Sequence, residues 1–302
     1  MSAPTRAAAA FGAVDIATSL VMSLLWGLNI IAVKIALTGL GPLTTATARL
    51  LVVLLLCVAW LKPVRGSTGT LILLGLNYGF IFALVSLSLS LAENVGALAI
   101  ASQLSVPIAV ILGVLFLDER PTAMQVAGIL LALAGVSLML FDPRIADDLP
   151  GLALMSLNAA LLAVASLLQR RLGGVAVPNT LAWSGLMGSA ILVPLALGVE
   201  PDGPVRLAHM RPGVAFALAF SALGSTLVAP ACMAWLLQRH HVSIIMPLSL
   251  ASTLVTVAAA HILLGTPVTV LMILGGGISL VGFLFIMRPV ANLAKVTKAV
   301  MP

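Results

Sequence analysis

Residues 121–141 read PTAMQVAGILLALAGVSLMLF, a stretch of 21 residues without a single Asp, Glu, Lys or Arg. About 20 consecutive apolar residues are enough for an α-helix to cross the hydrocarbon core of a bilayer. The stretch therefore predicts a membrane-spanning helix. Its two glycines, Gly128 and Gly135, recur in a similar setting later in the chain.

The rest of the chain has the same character. Of its 302 residues, 61% are hydrophobic and 8% are charged, and the mean hydropathy is +1.21. A soluble domain has about 25% charged residues, and a membrane β-barrel shows alternation over segments of about ten residues. We therefore predict an all-α membrane protein from the charge-free runs, which are 66–92, 94–117, 121–141, 149–169, 172–199, 212–238 and 240–287.

Proline, glycine and charged residues divide these runs into ten predicted transmembrane helices. The longest run, 240–287, exceeds one helix and is divided at Gly265-Thr266-Pro267. The connections are short and leave no room for a soluble domain. The predicted spans lie near residues 16–37, 42–61, 70–91, 94–117, 121–141, 150–171, 178–199, 212–236, 242–264 and 267–287.

The distribution of basic residues predicts the orientation, because cytoplasmic loops are enriched in Lys and Arg. With the N-terminus inside, ten basic residues fall in cytoplasmic segments and three fall in the opposite loops, Arg144, Arg206 and Arg211. Both termini of this multi-pass membrane protein are therefore expected in the cytoplasm. This topology accounts for the basic pI, so a nucleic-acid partner is not required.

Weak internal similarity predicts two halves, residues 1–141 and 142–302. Gly128 and Gly135 match Gly275 and Gly282 at an offset of 147 residues, and GLGPLTTATA at 39–48 resembles GVAVPNTLAW at 174–183. Five spans per half is an odd number, so the second half enters the membrane in the opposite sense. Two inverted five-helix repeats are a recurring design of transporters.

The opening of the chain resembles a known family. WGLNIIAVKIAL at 26–37, followed by Pro42 and Arg49-Leu50, is similar to the start of the EamA domain of the drug/metabolite transporter (DMT) superfamily. LDERPT at 117–122 and GILLALAGVSLML at 128–140 extend the resemblance. It implies a ten-helix inner-membrane carrier, often an exporter of amino acids or other small metabolites by alternating access.

The second half departs from the family pattern. Where the family repeats a leucine-glycine-glutamate-arginine turn, this chain has Leu264-Gly265-Thr266-Pro267. No acid therefore corresponds to Glu119, and a mechanism that needs a symmetric pair of acidic gates is in doubt.

Polar residues in the first two spans are the leading candidates for a substrate cavity. Trp26 and Asn29 are three residues apart and share a helix face, which either lines a cavity or packs on a neighbouring helix. Arg49 lies about 10 Å into its helix at 1.5 Å per residue, and no acid lies at comparable depth. Its forked donors either brace the fold or anchor a substrate carboxylate.

Other polar and aromatic residues extend this candidate set. Small polar side chains in spans allow close packing and weak interhelical hydrogen bonds, and as a group they also suit a cavity wall. Aromatic residues at shallow depth suit an interfacial belt equally well. The predicted cavity residues beyond the first two spans are Asn77, Tyr78, Ser102, Gln103, Ser105, Asn158, Trp183, Trp235, Ser249, Ser252, Thr253 and Thr256.

Four residues are predicted to gate or bend the helices. Pro107 and Pro230 lie within predicted spans, where proline removes a backbone donor and bends the helix. Glu119 is either an inner gate or part of a solvated turn. Lys34 either extends to the headgroups or lies at the outer mouth of the pathway.

Several chemistries have no motif in this sequence. No phosphate-binding loop, nucleophile elbow, zinc-protease helix or cluster of Cys and His at ligand spacing occurs. We therefore expect no enzymatic activity, no metal and no cofactor. The expected partners are a small molecule and the lipid bilayer, and the chain is expected to act as a monomer. A sugar or phosphorylated-metabolite carrier is the alternative, with a non-transporting membrane enzyme a remote one.

Overall fold

The computed structural model describes residues 12–117, 121–172, 174–237 and 251–287, and these ranges contain helices and no strands. A π-helical segment covers Phe220–Val228, and short 3-10 segments cover Val58–Trp60 and Pro143–Asp148. The α-helices are α1 Ala13–Ala36, α2 Pro42–Cys57, α3 Thr68–Leu91, α4 Val95–Ser102, α5 Ser105–Leu117, α6 Ala123–Leu140, α7 Leu149–Arg171, α8 Val177–Val199, α9 Gly203–Ala208, α10 Pro212–Ala219, α11 Ala229–Leu237, α12 Ala251–Leu264 and α13 Val270–Met287.

The helical lengths agree with a multi-pass membrane protein. Within the described residues, seven helical stretches are long and apolar enough to cross a membrane. Three shorter apolar helices, Ala123–Met139, Ala251–Leu264 and Val270–Ile286, lie within the predicted fifth, ninth and tenth spans. The part of the ninth span before Ala251 lies outside the described residues.

The fourth predicted span is divided into α4 and α5 by a turn at Gln103 and Leu104. Pro107 accounts for this break, since a proline ring clashes with the carbonyl four residues earlier, which belongs to Gln103. The side chain of Gln103 is therefore placed at a helix break, where it contacts Thr253 of α12.

The eighth predicted span changes its helical register. It begins as α10, widens into the π-helical segment, and returns to α-helix as α11, in which Pro230 is the second residue. The backbone N–H of Ala229 bonds the carbonyl of Gly224, five residues earlier. A π-segment is rare and often accompanies a functional site.

Helices α6 and α13 form the closest helix pair through glycines that contact reciprocally. A Cβ atom on Gly128 would lie 2.5 Å from the carbonyl oxygen of Gly282, and one on Gly135 would overlap the carbonyl of Gly275. The pairing 128 with 282 and 135 with 275 makes the two helices antiparallel. In a bilayer, such small residues allow backbones to approach and gain van der Waals contact.

Glycines also bring α8 against α2 and α3. A Cβ on Gly185 would lie 2.8 Å from the backbone nitrogen of Leu54, and one on Gly79 would lie 3.0 Å from the Cα of Gly188. Helix α3 packs against α7 on another side, while α1 packs against α12 and against the π-helical segment with its flanking helices. Residues in the middle of α1, α2 and α3 therefore meet inside the bundle.

Candidate functional site

Arg49 lies in the middle of α2 and is 3% exposed. Its Nη2 donates a hydrogen bond to Oδ1 of Asn29 on α1 at 3.4 Å. Its guanidinium carbon lies 4.4 Å from the ring centroid of Phe82 on α3, which is cation–π distance. One basic side chain is thus held between three helices in the interior.

The guanidinium of Arg49 is only partly satisfied. A guanidinium carries five N–H donors, yet Nε and Nη1 have no hydrogen-bond partner among the described residues. The buried hydroxyls of Thr45 and Ser86 also have none there. Thr45 precedes Arg49 by one helical turn, and Ser86 follows Phe82 by one turn, so all these groups lie on the facing sides of α2 and α3.

Asn29 connects the Arg49 region to the second half of the chain. Its Oδ1 accepts a 2.6 Å hydrogen bond from the hydroxyl of Ser221 in the π-helical segment. One turn earlier on α1, Nε1 of Trp26 donates to the carbonyl of Ser225 at 3.2 Å. We call Trp26, Asn29, Arg49, Phe82 and Ser221 the central polar cluster.

Helix α1 makes a second polar contact with the second half, through α12. The hydroxyl of Thr256 donates to the carbonyl of Gly27 at 2.8 Å, and a Cβ on Gly27 would lie 2.5 Å from the Val255 side chain. Near the start of α12, Thr253 contacts Gln103. Two predicted cavity residues thus form a polar pair between the two halves.

The predicted residues of α3 and α7 form a row of contacts beside this cluster. Nδ2 of Asn77 donates to the carbonyl of Leu161 at 3.0 Å, and the hydroxyl of Tyr78 accepts a 2.7 Å bond from Gln169. The Tyr78 ring also packs edge-on against Phe82, with centroids 6.4 Å apart.

Asn158 on α7 is buried and has an unused acceptor. Its Oδ1 has no hydrogen-bond partner in the described part of the chain, and its amide lies 3.8 Å from the sulfur of Met155. Since α3 and α7 are antiparallel and Asn77 lies opposite Leu161, Asn158 lies about one turn further, near the level of Phe82.

The remaining predicted cavity residues lie elsewhere. Nε1 of Trp183 donates to the carbonyl of Lys62 at 3.2 Å, at the end of the bundle where α3 and α8 begin. The hydroxyl of Ser102 bonds its own helix at Ala99. Ser105 begins α5, and Trp235 and Ser252 lie on α11 and α12. The predicted Ser249 and Glu119 lie outside the described residues.

Lys34 binds the end of a neighbouring helix. Its ammonium donates to the carbonyls of Leu89 and Ala92, at 2.7 and 2.6 Å, at the C-terminus of α3. Free carbonyls at a helix C-terminus carry partial negative charge, which a cation stabilises. Two protein carbonyls, rather than lipid headgroups, therefore receive this charge.

Glu200 has the complementary role on the same end of the bundle. Its carboxylate accepts hydrogen bonds from the backbone of Leu43 and Thr44, at 2.9 and 2.8 Å, at the N-terminus of α2. A carboxylate at a helix N-terminus satisfies free N–H groups and the helix dipole. This contact fixes the helix that carries Arg49.

Two cavities lie between helices near the cluster, and Arg49 lines neither. One, of about 380 Å³, lies between α4, α12 and α13, and its polar lining includes Gln103, Thr253 and His261. The other, of about 570 Å³, lies between α2, α8 and α11 and includes Trp60 and Trp235. Over the described ranges, no group of three His, Cys, Asp or Glu side chains forms a metal site.

Comparison with known proteins places this site in a family. Residues 15–141 and 149–288 each match the EamA-like transporter family. The chain belongs to the EamA-like transporter family. It is therefore a multi-pass membrane transporter of the drug/metabolite transporter superfamily, as the opening motif predicts.

Two curated relatives and one solved structure extend this family assignment. A probable amino-acid metabolite efflux pump of Escherichia coli (strain K12) is 25% identical, with 87% of this chain and 91% of that protein covered. A protein of the same description from Salmonella typhimurium is 24% identical over the same shares. A crystal structure with 19% identity covers 94% of this chain and 99% of its own, with a TM-score of 0.58, which shows the fold alone.

Three contact residues of the site, Phe82, Ser221 and Glu200, were not among the sequence predictions. Phe82 follows the predicted Tyr78 by four residues, so helical spacing alone places the two on one face. Ser221 lies in the π-helical segment, whose register a periodicity of 3.6 residues does not predict. Glu200 belongs to a loop by sequence, and only the fold brings it to α2.

Proposed function

We propose that this EamA-like transporter is an inner-membrane carrier that exports small metabolites, amino acids or related zwitterionic compounds, by alternating access. The names of the two relatives, probable amino-acid metabolite efflux pumps, favour this substrate class. In this proposal the chain acts as a monomer with both termini in the cytoplasm, and it performs no enzymatic reaction.

One observation carries the proposal. Arg49 is buried in the interior, and two of its nitrogens have no hydrogen-bond partner among the residues that the structure describes. Burying an incompletely paired charge is unfavourable, so a purely structural arginine would be expected to gain more acceptors. A substrate carboxylate would give these donors a charge-assisted acceptor.

The proposed architecture is ten spans in two inverted five-helix repeats. The four glycines that match by sequence, Gly128 with Gly275 and Gly135 with Gly282, also contact crosswise. Such reciprocal contacts are what a two-fold axis between two equivalent elements produces. Helices α2 and α8 are also equivalent in this proposal, because each is the second span of its half. They too pack against each other.

Alternating access requires helices that contact both halves and can change those contacts. Helix α1 meets the π-helical segment through Trp26 and Asn29, and meets α12 through Gly27. Nearby, the fourth predicted span is broken between α4 and α5 at Gln103, and the segment opposite α1 is π-helical. We infer that these irregular elements move against the regular α6–α13 pair.

A carrier for a phosphorylated metabolite receives less support. A dianion requires two or more free cations in the interior. The ammonium of Lys34 has three N–H donors, and two of them already bond Leu89 and Ala92. It is therefore held at the end of α3 and not at the central polar cluster.

Counterflow in proteoliposomes tests the proposed function. Vesicles preloaded with unlabelled metabolites are supplied with the labelled compound outside, and exchange is measured with wild-type protein and with Arg49→Gln. We expect exchange of at least one amino acid or close derivative, and its loss in Arg49→Gln. Arg65→Gln removes the same charge from an exposed position and is expected to exchange normally. Absence of exchange by folded wild-type protein across the panel would refute the carrier.

A further inference from the structure

We propose that the compound carried at Arg49 crosses with a net charge of −1, as a carboxylate whose amino group is acylated or replaced, and that its transport is electrogenic. This inference rests on the proposed carrier function, but it replaces the zwitterionic amino acid proposed there by an anionic derivative. It follows from the balance of charges and hydrogen-bonding groups in the central polar cluster.

The first step concerns the acidic residues. The sequence contains no Asp or Glu in residues 16–92, 94–117, 121–141, 149–199 or 203–302. The acids that the structure describes lie at or beyond helix ends, and several of them accept hydrogen bonds there. Asp15 accepts from the backbone of Gly12, Asp148 accepts from Glu93 and Asn94, and Glu200 accepts from α2. Arg49 therefore has no acidic counterpart within the spans.

The second step concerns what a substrate ammonium would meet. A protonated amine has three donors and no acceptor. In the central polar cluster, Oδ1 of Asn29 already accepts from Arg49 and Ser221, and the face of Phe82 is occupied by the guanidinium. The unused carbonyl of Asn158 is a single neutral acceptor on α7. Among the described residues, these side chains of the site thus offer few acceptors for a cation.

The third step concerns what a carboxylate would meet. Nε and Nη1 of Arg49 are free donors, and the hydroxyls of Thr45 and Ser86 supply two more that have no partner among the described residues. All four favour an anion. A carboxylate accepts hydrogen bonds and donates none, whereas an ammonium only donates, so these donors favour a carboxylate.

The net charge then selects between substrates. A zwitterion bound at Arg49 leaves a net charge of +1 in the interior, whereas a monoanion brings this net charge to zero. A dianion leaves a net charge of −1. Because an uncompensated charge is strongly unfavourable in a medium of low dielectric, the monoanion is the form that the site stabilises best.

This charge has a consequence for the energy source. Export of a monoanion is favoured by a membrane potential that is negative inside, and 100 mV corresponds to a gradient of roughly 40-fold. Because the membrane potential supplies the energy, a carrier of this type exports against a concentration gradient without exchanging protons. It therefore needs no membrane-embedded carboxylate, in agreement with the absence of acids from the spans.

The test uses three forms of one carbon skeleton: leucine, N-acetylleucine and leucinamide. Each labelled compound is offered to proteoliposomes holding the full-length protein at constant pH, with valinomycin and potassium gradients setting the potential inside positive, zero or inside negative. We expect N-acetylleucine to accumulate tens of fold when the inside is positive and to be excluded when it is negative. Leucine and leucinamide are expected to remain near the level of protein-free vesicles.

Arg49→Gln and Arg65→Gln separate the site from general effects of charge. We expect Arg49→Gln to lose potential-driven uptake and Arg65→Gln to retain it. Leucine exchange that ignores the potential, without uptake of N-acetylleucine, would overturn the monoanion while leaving the carrier intact. If folded protein moves none of the three forms, nor the corresponding forms of phenylalanine and alanine, both the monoanion and the carrier are refuted.

Discussion

Helices α6 and α13 meet through glycine backbones, whereas α1, α2 and the π-helical segment meet through polar side chains. The glycine contact is complete, because Gly128 and Gly135 leave no space for a Cβ atom. The polar contact is incomplete, because two nitrogens of Arg49 have no partner among the described residues. The two halves of the chain thus have two kinds of contact. The α6–α13 contact stabilises the fold, and the contact of α1 and α2 with the π-helical segment leaves hydrogen-bonding groups available.

The two contacts differ in how easily they can rearrange. Helices whose backbones are in van der Waals contact cannot shift without losing that contact, so the glycine pair stabilises one arrangement of the fold. Polar contacts between helices are worth about 0.6–2 kcal/mol each, so they can be exchanged for others. The predictions below test this division between a brace and a site, beginning with the largest expected effect.

Gly135→Leu is expected to abolish the folded protein. A Leu side chain cannot occupy the space of the Gly275 carbonyl, so α6 and α13 must separate. Overpacking of this kind destabilises the fold. Size-exclusion chromatography in mild detergent would show aggregate in place of the monodisperse peak. Gly277→Ala is the matched control, since a Cβ there meets nothing within 4 Å. A monodisperse Gly135→Leu protein would contradict the brace.

Arg49→Met is expected to reduce transport about 100-fold, the effect of removing one member of a buried charge pair. Folding should be retained, because replacing a poorly paired buried cation by an apolar side chain is neutral or stabilising. Counterflow and the thermal denaturation midpoint Tm would be measured on the same preparation. A large fall in Tm would instead assign Arg49 to the structural core.

Lys34→Met is expected to lower stability by about 1–2 kcal/mol, since it removes two charge-assisted hydrogen bonds from the end of α3. The effect should appear in Tm and less in the rate of exchange. Lys62→Met changes an exposed lysine and serves as the control. Equal Tm values for the two variants would refute a stabilising role for Lys34.

Ser221→Ala is expected to have the smallest effect, a few-fold decrease in exchange rate with little change in Tm. It removes one donor from Asn29, a contact worth about 0.6 kcal/mol in comparable membrane proteins. Ser102→Ala is the control, because Ser102 bonds its own helix. An identical rate for Ser221→Ala and wild type would exclude this bond from the transport cycle.

Much of the helical organisation could be predicted from the sequence, for a physical reason. A run without charges that is long enough to cross a bilayer has few alternatives to a helix. The helix break near Pro107 was predictable in kind, because proline opposes the carbonyl four residues earlier. The π-helical register before Pro230 depends on neighbouring helices and was not predicted.

The site was predictable only in its polar members. Asn29 and Arg49 are conspicuous because polar groups in lipid require a partner. Phe82 is one apolar residue among many, and only the packing of α3 against α2 places it under the guanidinium. Lys34 illustrates the same limit, because sequence gives its depth but not the free carbonyls of α3.

Ligand-dependent thermal stabilisation tests the central claim, that the free nitrogens of Arg49 bind a substrate carboxylate. Purified protein would be melted with increasing concentrations of N-acetylleucine and of its neutral carboxamide. A ligand at 100 times its Kd stabilises the folded state by about 2.7 kcal/mol. We predict a rise in Tm for wild type with the carboxylate only, and no rise for Arg49→Gln. Equal stabilisation of Arg49→Gln, or of wild type by the carboxamide, would contradict the account.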